Sequence, residues 1–209
     1  MGKKGAAGFR PNRTGTDAES TGESPSQGQE AGAEAAQDGS GFGSGSLPPT
    51  VLDADALNIL SEIEAWATHL PAERFVLTPH PGEMKRLLGT GHLEPDVVEV
   101  ATDAAVRWKQ VVVLKGATTV VAAPDGRSVV HAGGNPSLAT AGTGDVLAGA
   151  IAGLLAQGLS LFDAAVLGVF LHAAAGAMVR DELGEAGTLA SDVLARLPRA
   201  IKNLREGDK

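Results

Sequence analysis

From Thr50 onward, short apolar runs alternate with stretches in which apolar residues recur every three or four positions. The first pattern reads as strand and the second as amphipathic helix. "TVLDAD" (50–55) and "RFVLTP" (74–79) are short strands, and "QVVVLKG" (110–116) is a third whose unbroken apolar run suits a strand covered on both faces. Ala56, Leu57, Leu60, Ile63, Ala67 and Leu70 predict one helix after the first strand, with Asp55 as its N-cap. Further helices are expected over 82–88, 94–109, 143–157, 160–183 and 191–204. Ser160 with Asp163 resembles a capping box, and Pro198 is expected to kink or restart the last helix. "TTVVAAPDGRSVVHAGG" (118–134) predicts a hairpin that turns at Pro124, Asp125 and Gly126. Strands alternating with helices argue for an α/β fold with a mainly parallel sheet and helices on both faces.

The first 49 residues break this pattern. They hold 11 of the 28 glycines, no Val, no Ile and one Leu, Leu47. Such a segment cannot bury enough apolar surface to offset its ordering entropy, so residues 1–49 are expected to be a disordered low-complexity head before a domain at 50–209. No repeat is apparent.

Composition narrows the function classes. With 209 residues, 43% hydrophobic and 20% charged, the chain suits one globular domain. A net charge of -8 and a pI near 5.1 repel nucleic-acid phosphates, so no nucleic-acid partner is expected. The absence of Cys excludes disulfides, thiolate metal sites and a cysteine nucleophile, and it fits a cytoplasmic protein. The longest nearly apolar run, 164–179, is interrupted by His172 and is rich in Ala and Gly, which reads as a buried helix rather than a membrane span. No apolar segment of signal-peptide type follows Lys3, Lys4 and Arg10.

The candidate chemistry lies in "NPSLATAGTGDVLAG", which runs a glycine-rich turn into a helix. Gly142 and Gly144 let the backbone turn sharply and let a ligand approach its N–H groups. The first N–H groups of the helix lack internal partners and sit at the positive end of its dipole, so a phosphate can bind there. Asp145 lies where that phosphate would arrive; it either caps the helix or takes part in chemistry. Ligands of such sheets collect at the carboxyl ends of strands. Three polar clusters share that position: Asp53 with Asp55, Thr78 to Glu83, and Lys115 with Gly116. A Lys before Gly, after four apolar residues, favours phosphate binding over a plain surface charge. Glu83 is left even between complementing a helix dipole and holding Mg²⁺ through water. His131 and His172 read as edge or core histidines, His69 and His92 carry no signal, and Trp66 and Trp108 fall on apolar helical stripes as core residues. With aromatics at 3%, a bound adenine is expected to lie among aliphatic side chains.

"VLDADALN", "LTPHPGEMKRLLG", "VVVLKGATTVVAAPDG" and "NPSLATAGTGDVLAG" together resemble the C-terminal part of the NAD(P)H-hydrate dehydratase family, in the ribokinase-like superfamily. The resemblance runs from about Thr50 to about Leu204. It implies a ribokinase-like three-layer sandwich from which the N-terminal part of the domain is missing, residues 1–49 standing in that place without replacing it. A truncated or frame-shifted reading, or a partner that supplies the rest, would explain this. It also implies repair of NADHX and NADPHX at the expense of ADP or ATP, with Mg²⁺, no metal ligands of the chain's own, and an epimerase as partner; the sheet edge that the missing part leaves uncovered makes a homo-oligomer expected. Carried over residue by residue, Asp145 is the catalytic base and touches the hydrated substrate, as His80 does. Lys115, Gly116, Ala117, Thr118 and Thr119 form the nucleotide-binding loop together with Gly144, and Asn135, Gly142, Thr143 and Glu83 support the site. Two other readings use the same residues: a related small-molecule kinase that stops at the phosphorylated product, and a nucleotide-binding module without turnover.

Overall fold

A computed structural model describes residues 47–207, so all but the last three residues of the disordered head expected over 1–49 lie outside the described residues. Five strands form one sheet in sequence order: β1 (Thr50–Leu52), β2 (Phe75–Leu77), β3 (Val111–Leu114), β4 (Thr118–Ala122) and β5 (Ser128–Ala132). β1, β2 and β3 pair in parallel, Val51 opposite Val76 and Leu77 opposite Val112, while β4 pairs antiparallel with both β3 and β5. Four of the five strands therefore run the same way and deliver their carboxyl ends to one edge.

Alternation along the strands sorts the core into two layers. Leu77, Val112, Leu114, Val120 and Ala122 face one side, packed with residues of α1 (Asp55–Ser61), α2 (Pro81–Leu88) and α3 (Val97–Trp108). Val76, Val111, Val113 and Val121 face the other, against α4 (Thr143–Leu155) and α5 (Leu161–Leu183). A smaller cluster of Ala175, Val179 and Val193 joins α5 to α6 (Ala190–Glu206). This is the three-layer α/β arrangement expected from the pattern. α5 is long and apolar enough to cross a membrane by length and composition, yet half of its most apolar stretch is buried inside the fold.

Four local expectations need correction. The helix expected over 56–70 stops at Ser61, whose hydroxyl donates to the Asn58 carbonyl; Ala65 then turns left-handed, and Trp66–His69 form a separate 3₁₀ turn. That break lets Trp66 donate to the Leu87 carbonyl and pack against Trp108 with ring centroids 4.8 Å apart and planes tilted by 57°, so both tryptophans are core residues as expected. Asp55 is not the N-cap: Ala54 holds that place without a side-chain bond, and Asp55 complements the dipole from the first turn. The helix expected from 94 starts at Val97, because Asp96 accepts from the Val98 and Glu99 N–H groups and caps it. Pro198 does not restart the last helix: α6 runs through it with the proline on the exposed side. At Ser160 the expected capping box forms only in part: the hydroxyl accepts from the Asp163 N–H, while the Asp163 carboxylate accepts from that hydroxyl rather than from the Ser160 N–H.

Close packing of α4 on α5 depends on Gly168: a Cβ there would stand 2.5 Å from Ile151 Cγ1, whose side chain is fully buried. Gly168→Ala must push the helices apart, and we expect it to cost about 1–3 kcal/mol, read as a lower urea midpoint with an unchanged slope.

Candidate active site

The chemistry-bearing loops meet at the carboxyl edge of the sheet because the strands that feed them lie side by side. Asp53 follows β1, His80 follows β2 and Lys115 follows β3. The edge is tied by backbone bonds from Thr78 N–H to the Leu52 carbonyl and from Lys115 N–H to the Pro79 carbonyl. Lys115 Nζ donates to Asp53 Oδ1 at 2.7 Å, and the two side chains are 20% and 13% exposed.

This pair sits against the glycine-rich turn. A Cβ on Gly144 would lie 3.5 Å from Lys115 Nζ and 3.9 Å from Asp53 Oδ2. The turn enters α4 through Gly142, whose φ of 86° is left-handed backbone that favours glycine. Thr143 fixes the turn from within, its hydroxyl directed at the Leu138 and Thr140 carbonyls at 2.7 and 2.8 Å. Gly144 and Asp145 open the helix, and their N–H groups have no hydrogen-bond acceptor among the described residues. The Asp145 side chain is exposed.

A cavity of about 740 Å³ opens beside this turn. Lys115, Gly116, Ala117 and Thr119 line it, with His80, Asn135, Gly142, Thr143 and Gly144. Aliphatic Leu138, Leu147 and Val169 line it as well. The segments expected to act together thus share one cavity. Three expected site residues stand outside its lining: Thr118, which lies in β4; Asp145, one residue along α4; and Glu83, which is buried. In the 115–119 loop, the Thr119 hydroxyl donates to the Gly116 carbonyl at 3.2 Å, which closes the loop on itself.

His80 has a structural task that the sequence reading missed. Its Nδ1 accepts from the Gly82 and Glu83 N–H groups, while the Glu83 carboxylate accepts from the His80 N–H at 2.7 Å, forming a reciprocal cap on α2. Nδ1 as acceptor places the ring proton on Nε2, 3.4 Å from the other Glu83 oxygen. Glu83 is therefore spent on His80 and the helix end. The spacing of His80 and Glu83, three apart around Pro81, was the available signal. Asn135 caps the following 3₁₀ turn through Oδ1, and its Nδ2 is a buried donor with no partner among the described residues. His131 sits on edge strand β5 and reaches the cavity wall.

A family model described as NAD(P)H-hydrate dehydratase matches residues 43–199. The chain belongs to this family. It is 49% identical over 162 residues to the bifunctional NAD(P)H-hydrate repair enzyme Nnr of Moorella thermoacetica, a match covering 76% of this chain and 30% of that protein. It is 45% identical to the ADP-dependent (S)-NAD(P)H-hydrate dehydratase of Neisseria meningitidis, over 74% of this chain and 53% of that one. The ADP/ATP-dependent NAD(P)H-hydrate dehydratase of Bacillus subtilis, co-crystallised with ATP/Mg²⁺ and soaked with CoA, superposes with a TM-score of 0.63 at 35% identity, covering 74% of this chain and 56% of that chain. The fold is ribokinase-like. The chain spans about a third to a half of the length of these curated relatives.

His172 enters the cavity from α5, and it is 8% exposed. Its Nε2 lies 2.9 Å from the Thr143 carbonyl. Burial lowers its pKa, the bond to that carbonyl opposes the shift, and the nearby Lys115 charge adds to the lowering. A folded pKa below the unfolded value means that the unfolded chain takes up the proton first. The contribution of this group to stability is then complete above about pH 6.5 and is lost as pH falls toward its folded pKa. We expect the thermal midpoint to drop on acidification below that value, and part of the drop to disappear in His172→Gln.

Proposed function

We propose that the chain carries the nucleotide-dependent dehydration of hydrated NADH and NADPH back to NAD(P)H, with ADP or ATP as phosphoryl donor. The observation that carries this reading is the meeting of Lys115 with the first turn of α4 at one sheet edge beside the cavity, with Asp145 the next residue along that turn. The family and the dehydratase names of its relatives support it.

The hydroxyl at C6 of the hydrated ring leaves poorly as hydroxide. In the proposed sequence its oxygen attacks the terminal phosphoryl group while Asp145 accepts its proton, and the bond from that phosphorus to the nucleotide breaks. Phosphate then departs with the C6 oxygen, the adjacent ring carbon gives up a proton, and the double bond returns. Lys115 and the free N–H groups of Gly144 and Asp145 offset the charge on the transferring group. His80, fixed as the Nε2–H tautomer, offers a donor toward the hydrated substrate. Among the described residues no group of three or more His, Asp or Glu side chains could hold a metal ion. The described side chains form no dedicated metal cage, and Mg²⁺ would travel on the nucleotide phosphates.

The test follows recovery of reduced-nicotinamide absorbance from purified NADPHX with ADP and with ATP. We expect recovery that requires nucleotide. Asp145→Asn is expected to lower the rate by about 10²–10⁴-fold with nucleotide affinity little changed. Lys115→Met is expected to weaken nucleotide binding by about 10–100-fold, the loss of one charge-assisted bond. Accumulation of a stable phosphorylated product would mark a kinase instead.

A further inference from the structure

His172 has no part in the chemistry above, yet it is the buried titratable group nearest to the glycine-rich turn. A carbonyl oxygen only accepts, so the contact with Thr143 at 2.9 Å requires the proton on Nε2. The pKa of His172 is lowered, which keeps the ring neutral. Its position on α5 is held by packing: Val169, Leu171 and Ala175 on the same helix are all buried. Gly168, one turn earlier, brings α5 directly onto Ile151 of α4. The imidazole is thus anchored on a rigid helix, and its acceptor belongs to the turn.

The Thr143 carbonyl and the Gly144 N–H are the two ends of one peptide unit. In a planar trans peptide they point in opposite directions, so whatever fixes the carbonyl also aims the N–H. Thr143 and Gly144 are the first residues of α4, so the helix ladder already directs the Thr143 carbonyl along the helix, and the imidazole adds a second donor to that oxygen where the turn through left-handed Gly142 ends. The Thr143 hydroxyl restrains the turn on the side of Leu138 and Thr140; it does not touch the Thr143 carbonyl itself. Among the described residues, His172 supplies the side-chain bond to that carbonyl.

We propose that His172 is a positioning residue, whose bond to the Thr143 carbonyl orients the Thr143–Gly144 peptide so that the Gly144 N–H points at an incoming phosphate. The proposal rests on the nucleotide-binding half of the function proposed above and not on the dehydration step. A preoriented donor removes an ordering cost from ligand binding. His172 therefore acts through the turn on nucleotide affinity, while proton transfer is left to Asp145.

Two substitutions in the full chain separate this role from simple core packing. His172→Leu fills similar space without a donor, whereas His172→Gln keeps an N–H that can reach the same carbonyl. With ADP and ATP as probes in titration calorimetry, we expect His172→Leu to weaken binding by about tenfold and His172→Gln to recover most of the loss. Where NADPHX turnover is measurable, nucleotide KM should rise in His172→Leu more than kcat falls. Equal behaviour of the two variants, or wild-type affinity in His172→Leu, would overturn the proposal. Should His172→Leu fail to fold, or the wild-type chain bind neither nucleotide, nitrogen-15 NMR of the free protein decides. Protonated Nε2 with unprotonated Nδ1 is expected; the opposite tautomer refutes it. Loss of NADPHX conversion with intact ADP binding would sink the dehydratase reading and leave the assignment of His172 standing.

Discussion

The ion pair between Lys115 and Asp53 joins the ends of β1 and β3 across the end of β2, at the point where α4 begins. An ammonium alone would be badly placed there, because the first turn of a helix carries the positive end of its dipole. Asp53 compensates it. A pair this far from solvent is poor evidence for added stability, since desolvation offsets much of the attraction, but it specifies geometry. Lys115 is held over Gly144, and strands separated by 62 positions in sequence are brought to a common level. Every other polar group of the site takes its place relative to that corner.

Around the corner, the backbone is shaped by side chains that answer to packing as well as to chemistry. Gly142 takes the left-handed conformation that starts α4, and its missing Cβ also leaves room for Ala190, whose Cβ would otherwise lie 3.1 Å away. Gly176 likewise makes room for Leu138, the residue whose carbonyl receives the Thr143 hydroxyl. The helices behind the turn and the turn itself are therefore one mechanical unit: small residues on α5 decide how near α4 comes, and α5 supplies the imidazole that meets the turn.

The layered α/β architecture was legible because the strands that cross the core read as unbroken apolar runs, with Val111 to Leu114 buried on both faces. The loops at the carboxyl edge were legible because polar residues follow each run directly. What the sequence hid depended on contacts distant along the chain. The helix after β1 was overdrawn because Ile63, Ala67 and Leu70 keep helical spacing while Trp66 is claimed by Leu87 and Trp108. The burial of Gln110 has the same origin: its amide accepts from Arg74 and Phe75 and donates to Pro71, all more than thirty positions away. His80 sits between two prolines, and only its bonds to Gly82 and Glu83 reveal a helix cap. Nothing in the apolar spacing of α5 separates His172 from an ordinary core histidine.

Charge balance explains why this edge is built from glycine rather than from lysine and arginine. Among the described residues lining the cavity, Lys115 supplies the one ammonium, and Asp53 already engages it. Asp145 adds a second carboxylate next to Gly144. Side-chain charge therefore cannot neutralise a di- or triphosphate here, in a chain whose net charge is -8. The remaining source of positive potential is the start of α4, whose N–H groups carry partial charge without the desolvation cost of further ammonium groups. Such donors work only when the ligand comes close and the peptide planes are correctly turned. Side chains must be absent from the approach, which glycine provides, and the planes must be held from behind, which Thr143 and His172 provide.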